Sequence, residues 1–121
     1  MENTKVTKTD GTSTENKIQQ SMFLWFNNNY TVNGLGLFAS IPNDSKDAKE
    51  QMFKKATGLM SGVSDLICIN NGEVLFIECK DDKGKQSDKQ KEFENIVSLQ
   101  CFKYFLVRSL DEFKKIIILA E

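Results

Sequence analysis

The sequence predicts an α/β domain built on a mixed sheet of about four strands, with helices on both faces. Three observations predict it. Within the stretch from Gly62 to Lys80, two apolar, β-branched runs flank Asn71-Gly72, the strongest short-range signal for a two-residue hairpin turn. A capping-box sequence at Ser87 then opens an apolar stripe at helical spacing, followed by a nearly continuous apolar run from Phe102 to Val107 that reads as a buried strand. Upstream, a further helix and a strand precede the hairpin, and a last helix closes the chain. The order is helix, strand, uncertain segment, hairpin, helix, strand, helix.

The hairpin organises everything else. With Asn71-Gly72 as the turn, Asn70 faces Glu73, and counting outward sets Asp65 directly opposite Glu78. Facing residues in an antiparallel pair share one side of the sheet, with Cβ atoms roughly 4.5–5.5 Å apart. Lys80 lies two residues past Glu78 and joins that face. Two carboxylates and an ammonium therefore gather at the open end. Like charges placed opposite each other destabilise a sheet, and a divalent cation between them reverses the sign; Mg²⁺ is held by one or two carboxylates together with waters and phosphates. A three-residue loop would set Asp65 against Ile77 and disperse the cluster. The alternative is a surface salt bridge from Lys80 to either carboxylate. Both hairpin faces are apolar, Ile67, Ile69, Val74 and Phe76 on one and Leu66, Cys68, Leu75 and Ile77 on the other, so the pair is expected to be covered on both sides.

Composition narrows the chemistry. The chain of 121 residues fits one domain, expected over 12–121 behind a loose polar tail at 1–11. No apolar run is long enough to span a bilayer and the N-terminus lacks a signal-peptide core, so the expectation is no membrane partner and an intracellular location. The 3 cysteines show no metal-ligand spacing and are expected as buried free thiols. With 0 histidines, imidazole-based acid–base catalysis is excluded, leaving carboxylates, lysines, hydroxyls and a hard metal. A net charge of −1 argues against a protein that holds nucleic acid through bulk charge, while leaving room for local basic patches.

Taken in order, Thr12 to Glu15 has the form of a capping box before apolar Ile18, Met22, Trp25 and Phe26, predicting a helix from about Ser13 to Asn27. Glu15, at the third helical position, can cap that helix and complement its dipole, or lie at the edge of the inward face. Leu35 to Ile41 reads as a strand stopped by Pro42. Asp44 to Lys55 reads as a short helix or a loop; its Lys46, Lys49, Lys54 and Lys55 are a candidate phosphate-contacting surface, or a solvated face. Gly58 and Gly62 frame a turn into Ser64-Asp65. Past the hairpin comes a charged loop, Asp81 to Lys85, and then a helix from about Asp88 to Gln100 with Phe93, Ile96 and Val97 as its stripe. Gln90 can cap that helix or face the sheet. Ser109 to Glu112 is a third capping box, opening a terminal helix whose Ile116 to Leu119 is too apolar for one buried face. That run hints at a dimer seam, or at an element tucked wholly into the core.

A first-helix Glu, Gly-Val-Ser-Asp (Gly62 to Asp65), Glu-Cys-Lys (Glu78 to Lys80) and a following helix opening with Ser and Gln resemble the PD-(D/E)XK nuclease superfamily. Glu15-x-x-x-Gln19, Ile41-Pro42-Asn43, the glycine-framed run from Gly58 to Asp65, and Ser87-x-x-Gln90 resemble more closely its VRR-NUC (virus-type replication-repair nuclease) family. The likeness covers Glu15 to Phe113, in order. One departure is Ser64, where the family often has proline. The resemblance implies a restriction-endonuclease-like fold and a metal-dependent DNA endonuclease. Asp65 and Glu78 would bind Mg²⁺ or Mn²⁺, and Glu15 would be an outer carboxylate contacting the metal or its waters. Lys80 would act as a cation beside the attacking water, and Gln90 would orient Lys80 or the scissile phosphate. Ser87 joins the lysines as a candidate DNA contact. Small standalone members of the family resemble homodimers acting on branched DNA such as four-way junctions, in a virus-infected bacterial host. The competing expectations are a non-catalytic nucleic-acid-binding module, a general DNA nuclease, and an enzyme of small phosphate substrates. The last lacks a glycine-rich phosphate loop.

Overall fold

The computed structural model describes residues 14–42, 46–58 and 60–119. The expected tail, Thr12 and Ser13 of the first capping box, and Asn43 lie outside the described residues. Helix α1 spans Thr14–Asn29, two residues further than the asparagine run suggests. Asn29 Nδ2 donates to the Trp25 carbonyl at 2.7 Å, so the asparagines terminate the helix by capping its own last carbonyls. A 3₁₀ turn, Thr31–Asn33, leads into β1, Gly36–Ser40. The uncertain segment contains helix α2, Ala48–Ala56, started by Asp47, whose side chain accepts the Glu50 amide at 2.8 Å. Then follow β2, Leu66–Asn70, and β3, Glu73–Cys79. Helix α3, Asp88–Leu99, strand β4, Lys103–Val107, and helix α4, Leu110–Leu119, complete the chain.

The strands form one sheet in the order β1-β2-β3-β4. β1, β2 and β3 run antiparallel, and β3 and β4 are parallel, with α3 as the crossover that a parallel pair requires. This is the mixed, four-stranded α/β sheet that the sequence predicts. The hairpin register is the two-residue one: Leu66 faces Ile77 and Asn70 faces Glu73. Asn71 and Gly72 both take positive φ, 52° and 77°, the requirement of a turn whose twist matches the strands it joins.

One face of the sheet is thoroughly covered. Leu66, Cys68, Leu75, Ile77, Cys79 and Val107 pack against Met22 and Phe26 of α1 and Phe113 and Ile117 of α4. Rings tie the layers: Phe38 of β1 stacks on Phe113 at 4.9 Å and on Phe23 at 4.5 Å. The opposite face carries α3, with Phe93 edge-on to Phe76 at 5.4 Å. Here the expectation of full cover holds only in part. A single helix lies over β3 and β4, leaving Leu37 of β1 and Ile69 of β2 partly exposed. Two other expectations change. Cys68 and Cys79 are buried, but Cys101 is exposed, because it occupies the turn between α3 and β4 at φ 68°. The apolar end of α4 is neither hidden nor one-sided: Ile117 is buried while Ile118 and Leu119 face outward. Among the described residues no helix is long and apolar enough to cross a membrane.

The turn's cost can be isolated, since a Cβ on Gly72 would touch nothing within 4 Å. Gly72→Ala should therefore destabilise only through its backbone, by about 1 kcal/mol. Urea unfolding should show a lower midpoint and an unchanged slope.

Candidate active site

The site begins where β2 begins. On one side the Ile41 amide donates to the Asp65 carbonyl at 2.8 Å, fixing the backbone against the end of β1. On the other, the Cys79 amide donates to Asp65 Oδ2 at 3.0 Å. The side chain thus ends the ladder in place of a backbone carbonyl, and holds its carboxylate beside the Glu78 carboxyl that the register sets across from it. Ser64, wholly buried, donates its hydroxyl to the Leu66 carbonyl at 3.0 Å and fixes the turn where the resembled family often carries proline.

Glu78 is the most telling residue. It is 1 % exposed, among the few buried charged or polar side chains. Its Oε2 accepts from Gln90 Nε2 at 2.9 Å and lies 3.9 Å from Lys80 Nζ. Its Oε1 is buried and receives no donor among the described residues. Burial, then the Asp65 carboxylate, push the Glu78 carboxyl up to about 8, against the pull of Lys80. An acid this strained in its ionised form has a use if something else neutralises it.

Gln90 and Ser87 hold the other wall. Ser87 Oγ accepts the Gln90 amide at 3.2 Å while Gln90 Oε1 accepts the Ser87 amide at 2.8 Å, a reciprocal capping box at the start of α3. The same Gln90 spends its Nε2 on Glu78. Capping and facing the site were alternatives in the sequence, and the side chain does both. Its target is the Glu78 carboxylate rather than Lys80. Close approach of the preceding loop makes this fit: Gly62 lies at φ 82°, and a Cβ there would sit 2.2 Å from the Lys89 carbonyl oxygen and 2.8 Å from the Gln90 amide.

Lys80 extends the β3–β4 ladder by donating its amide to the Val107 carbonyl at 3.0 Å, and its side chain is only 15 % exposed. The loop after it is shaped by two residues whose part the sequence left unread. Asp81 Oδ1 accepts the Lys83 and Gly84 amides at 3.0 and 2.7 Å. Arg108, the chain's single arginine, donates Nη1 to the Asp81 and Gly84 carbonyls from the end of β4. Apolar periodicity carries no signal for such a side-chain-to-loop clamp.

Glu15 opens α1, on the other face of the sheet from Gln90. Its backbone carbonyl accepts from Cys79 Sγ at 3.6 Å. Burial, then the Glu15, Asp65 and Glu78 charges, push the Cys79 thiol up to about 12. Glu15 is thus a neighbour of the site's back wall, but among the described residues no group of three or more Asp, Glu, His or Cys side chains assembles as a metal cluster. Asp65 and Glu78 are the pair that fits a hard cation: both are oxygen ligands, and the buried Oε1 of Glu78 has no other partner. The candidate DNA-contacting lysines divide. Lys46 and Lys54 of the α2 region pair with Glu50 at 3.9 and 3.2 Å, whereas Lys49 and Lys55 are exposed and make no ion pair among the described residues. Ser87 is exposed, with its hydroxyl already capping α3.

Two predictions follow from this geometry. In EDTA, Glu78 is protonated in both folded and unfolded chains below the ordinary carboxyl value of 4.5 and carries no penalty there. As pH rises towards about 8 the unfolded chain ionises first, so stability falls, by at most about 1.4 kcal/mol per pH unit. Glu78→Gln should remove that decline and melt higher than wild type at pH 8; parallel melting curves for the two proteins across this range would exclude the buried acid. Gly62→Ala should displace the start of α3, destabilise the fold by about 2 kcal/mol or more, and loosen Gln90 from Glu78. Denaturant unfolding and the Gln90 side-chain amide resonance report the two effects separately.

No protein-family model matches the sequence, and no characterised protein matches it either.

Proposed function

We propose that the chain is a metal-dependent DNA endonuclease with a restriction-endonuclease-like fold, related to the VRR-NUC family and hydrolysing phosphodiester bonds in branched or otherwise structured DNA. The observation that carries this is Glu78: a buried carboxylate with one oxygen that has no donor among the described residues, beside Asp65, with Lys80 and Gln90 on the same face. A purely structural ion pair has no need of a second carboxylate at its heart, and a plain binding surface for phosphate would not gather carboxylates at all.

Asp65 and Glu78 would hold Mg²⁺ or Mn²⁺, and Glu15, behind Cys79, would act on it only through bound water. Such an ion supplies a more acidic water and polarises the phosphoryl oxygen. The chain's own groups divide the remaining work. The Cys79 amide restrains Asp65 through Oδ2, and Gln90 restrains Glu78 through Oε2, so each carboxylate presents its other oxygen without rotamer freedom. Lys80, held by its amide and shielded by the Arg108-clamped loop, offers a cation to the charge that grows on the phosphate oxygens. Its proximity to Glu78 favours the role of a fixed cation over that of a base.

Resolving a branched substrate takes cuts on two strands, and one chain has one such centre. A two-fold homodimer supplies the second with related geometry. The outward Ile118 and Leu119 of α4 are the apolar surface that a second copy would cover.

Asp65→Ala and Glu78→Ala should abolish cleavage of plasmid and synthetic junctions in Mg²⁺ while remaining folded. Lys80→Ala should lose cleavage by about 100-fold or more yet still bind Mn²⁺ in calorimetric titration. Wild-type rates from either carboxylate variant would remove the metal site, and loss of Mn²⁺ binding by folded Lys80→Ala would assign lysine a different task. Light scattering of wild type should give twice the chain mass, and Leu119→Lys should shift it to one.

A further inference from the structure

Helix α2 is built unlike the rest of the chain. None of its residues is buried, yet it carries Met52 and Phe53, each 69 % exposed. Those two side chains, with Ala48 and Ala56, lie on one side of the helix with Lys49 among them, and all five are exposed. Its more sheltered positions are polar instead: Glu50 and Lys54, which pair with each other at 3.2 Å. A helix that buries nothing and leaves Met52 and Phe53 in solvent offers its apolar side to something other than this sheet.

Its placement is equally specific. The chain leaves the sheet at Ile41, whose amide bonds the Asp65 carbonyl, and returns to the sheet at Asp65 itself. The excursion carrying α2 therefore starts and ends at the carboxylate edge. On the return, Gly62 is wedged against the first turn of α3, next to Gln90. The exposed aromatic and thioether groups are accompanied by Lys49 and Lys55, neither of which makes an ion pair among the described residues.

We infer that α2 is a nucleic-acid-reading element in which Phe53, with Met52 beside it, packs against unpaired bases while Lys49 and Lys55 contact the flanking phosphates. This rests on the nuclease proposal and deepens it by assigning the group that senses strand structure. The chemistry fits one occupant best. Two ammonium groups on the helix that exposes an aromatic ring match a backbone of phosphates carrying unstacked bases, since base–aromatic stacking tolerates any sequence. In intact duplex the bases are stacked and Phe53 has no face to meet, except where a wedge can open a step. A lipid surface also accepts a basic amphipathic helix, but α2 offers only two bulky apolar side chains over nine residues, and the chain carrying it leaves and rejoins the sheet where Ile41 meets Asp65.

The test uses full-length protein in EDTA, so that binding is read without cleavage. The probes are a duplex and the same duplex bearing a short single-stranded gap with 2-aminopurine, followed by anisotropy and by base fluorescence. Wild type should prefer the gapped probe and change the 2-aminopurine signal. Phe53→Ala should weaken gap binding about ten-fold, leave duplex binding unchanged and abolish the fluorescence change, and Phe53→Trp should restore the gap binding and the fluorescence change. Lys49→Ala with Lys55→Ala should weaken both probes and flatten the salt dependence. Because Phe53 is exposed, these variants should melt as wild type does. Unchanged gap preference in Phe53→Ala overturns the inference while leaving the nuclease reading intact. So does wild-type binding to anionic phospholipid vesicles that the same substitution abolishes. Wild type that binds neither probe overturns both.

Discussion

The register of one hairpin is the constraint on which the rest depends. Side chains alternate across a strand, so sliding β2 by one residue against β3 would send Leu66 and Cys68 out of the core and Asp65 away from Glu78 together. Core and site are therefore specified by one choice. That choice is made locally, by two residues that tolerate positive φ, and is then enforced by burial of Leu66, Cys68, Leu75 and Ile77 beneath α1 and α4. The hydrophobic face acts as the clamp that makes two carboxylates meet. Apart from that clamp, their mutual repulsion and the desolvation of Glu78 would both favour separation.

The second consequence of the register concerns α3. A buried carboxylate needs a donor at a fixed place, and Gln90 provides it only because its backbone is held by the capping box with Ser87. The box uses the Oε1 of Gln90 and leaves Nε2 free, so capping selects which end of the amide meets Glu78. The helix terminus and the site thus share one side chain without competition. Arg108 works in parallel from β4, fastening the loop after Lys80 through backbone carbonyls. The helix that β4 leads into is capped by related means: Glu112 donates its amide to Ser109 Oγ but accepts with its carboxylate from the Arg108 amide. The serine half of the expected capping box forms, while its carboxylate half bonds one residue earlier and fixes the backbone of the arginine that does the fastening.

What was legible in the sequence was what is decided locally. The Asn71-Gly72 turn, the Ser87 cap and the apolar run before Val107 each announce themselves within a few residues, and with them come the sheet, the register and the Asp65, Glu78 and Lys80 grouping. Gln90 was legible as one of two alternatives, because a sequence shows that a side chain can reach two partners but not that it can satisfy both. What escaped was set by tertiary context. Cys101 was expected in the core from its type and its neighbours, yet the chain needs a left-handed residue there to turn from α3 into β4. Full cover of the hairpin was expected from two apolar faces, but the available helices divide unequally, two on one side and one on the other. Glu15 was drawn towards the metal by resemblance alone. Its carbonyl touches the back of the site through Cys79, and no three-carboxylate cluster gathers among the described residues.

The unequal cover has a physical counterpart in α2. A chain of this size has a limited supply of apolar surface with which to stabilise a fold, and placing Met52 and Phe53 outside the core forgoes part of it. The same segment keeps its ion pairs, Lys46 and Lys54 on Glu50, close to its own backbone, where they stabilise the helix and not the sheet. Helix α2 is thus self-sufficient as a helix and contributes little to the core. Such an element is cheap to move relative to the rest, because displacing it breaks no buried contact of its own. The carboxylates sit at the other extreme, each restrained by a hydrogen bond to an element of the sheet or of α3. If the nuclease proposal holds, a site that keeps ionic groups rigid and also admits a large polymer would use that division: a stiff edge where charge is concentrated, and in the same excursion of chain a helix that can adapt without disturbing the edge.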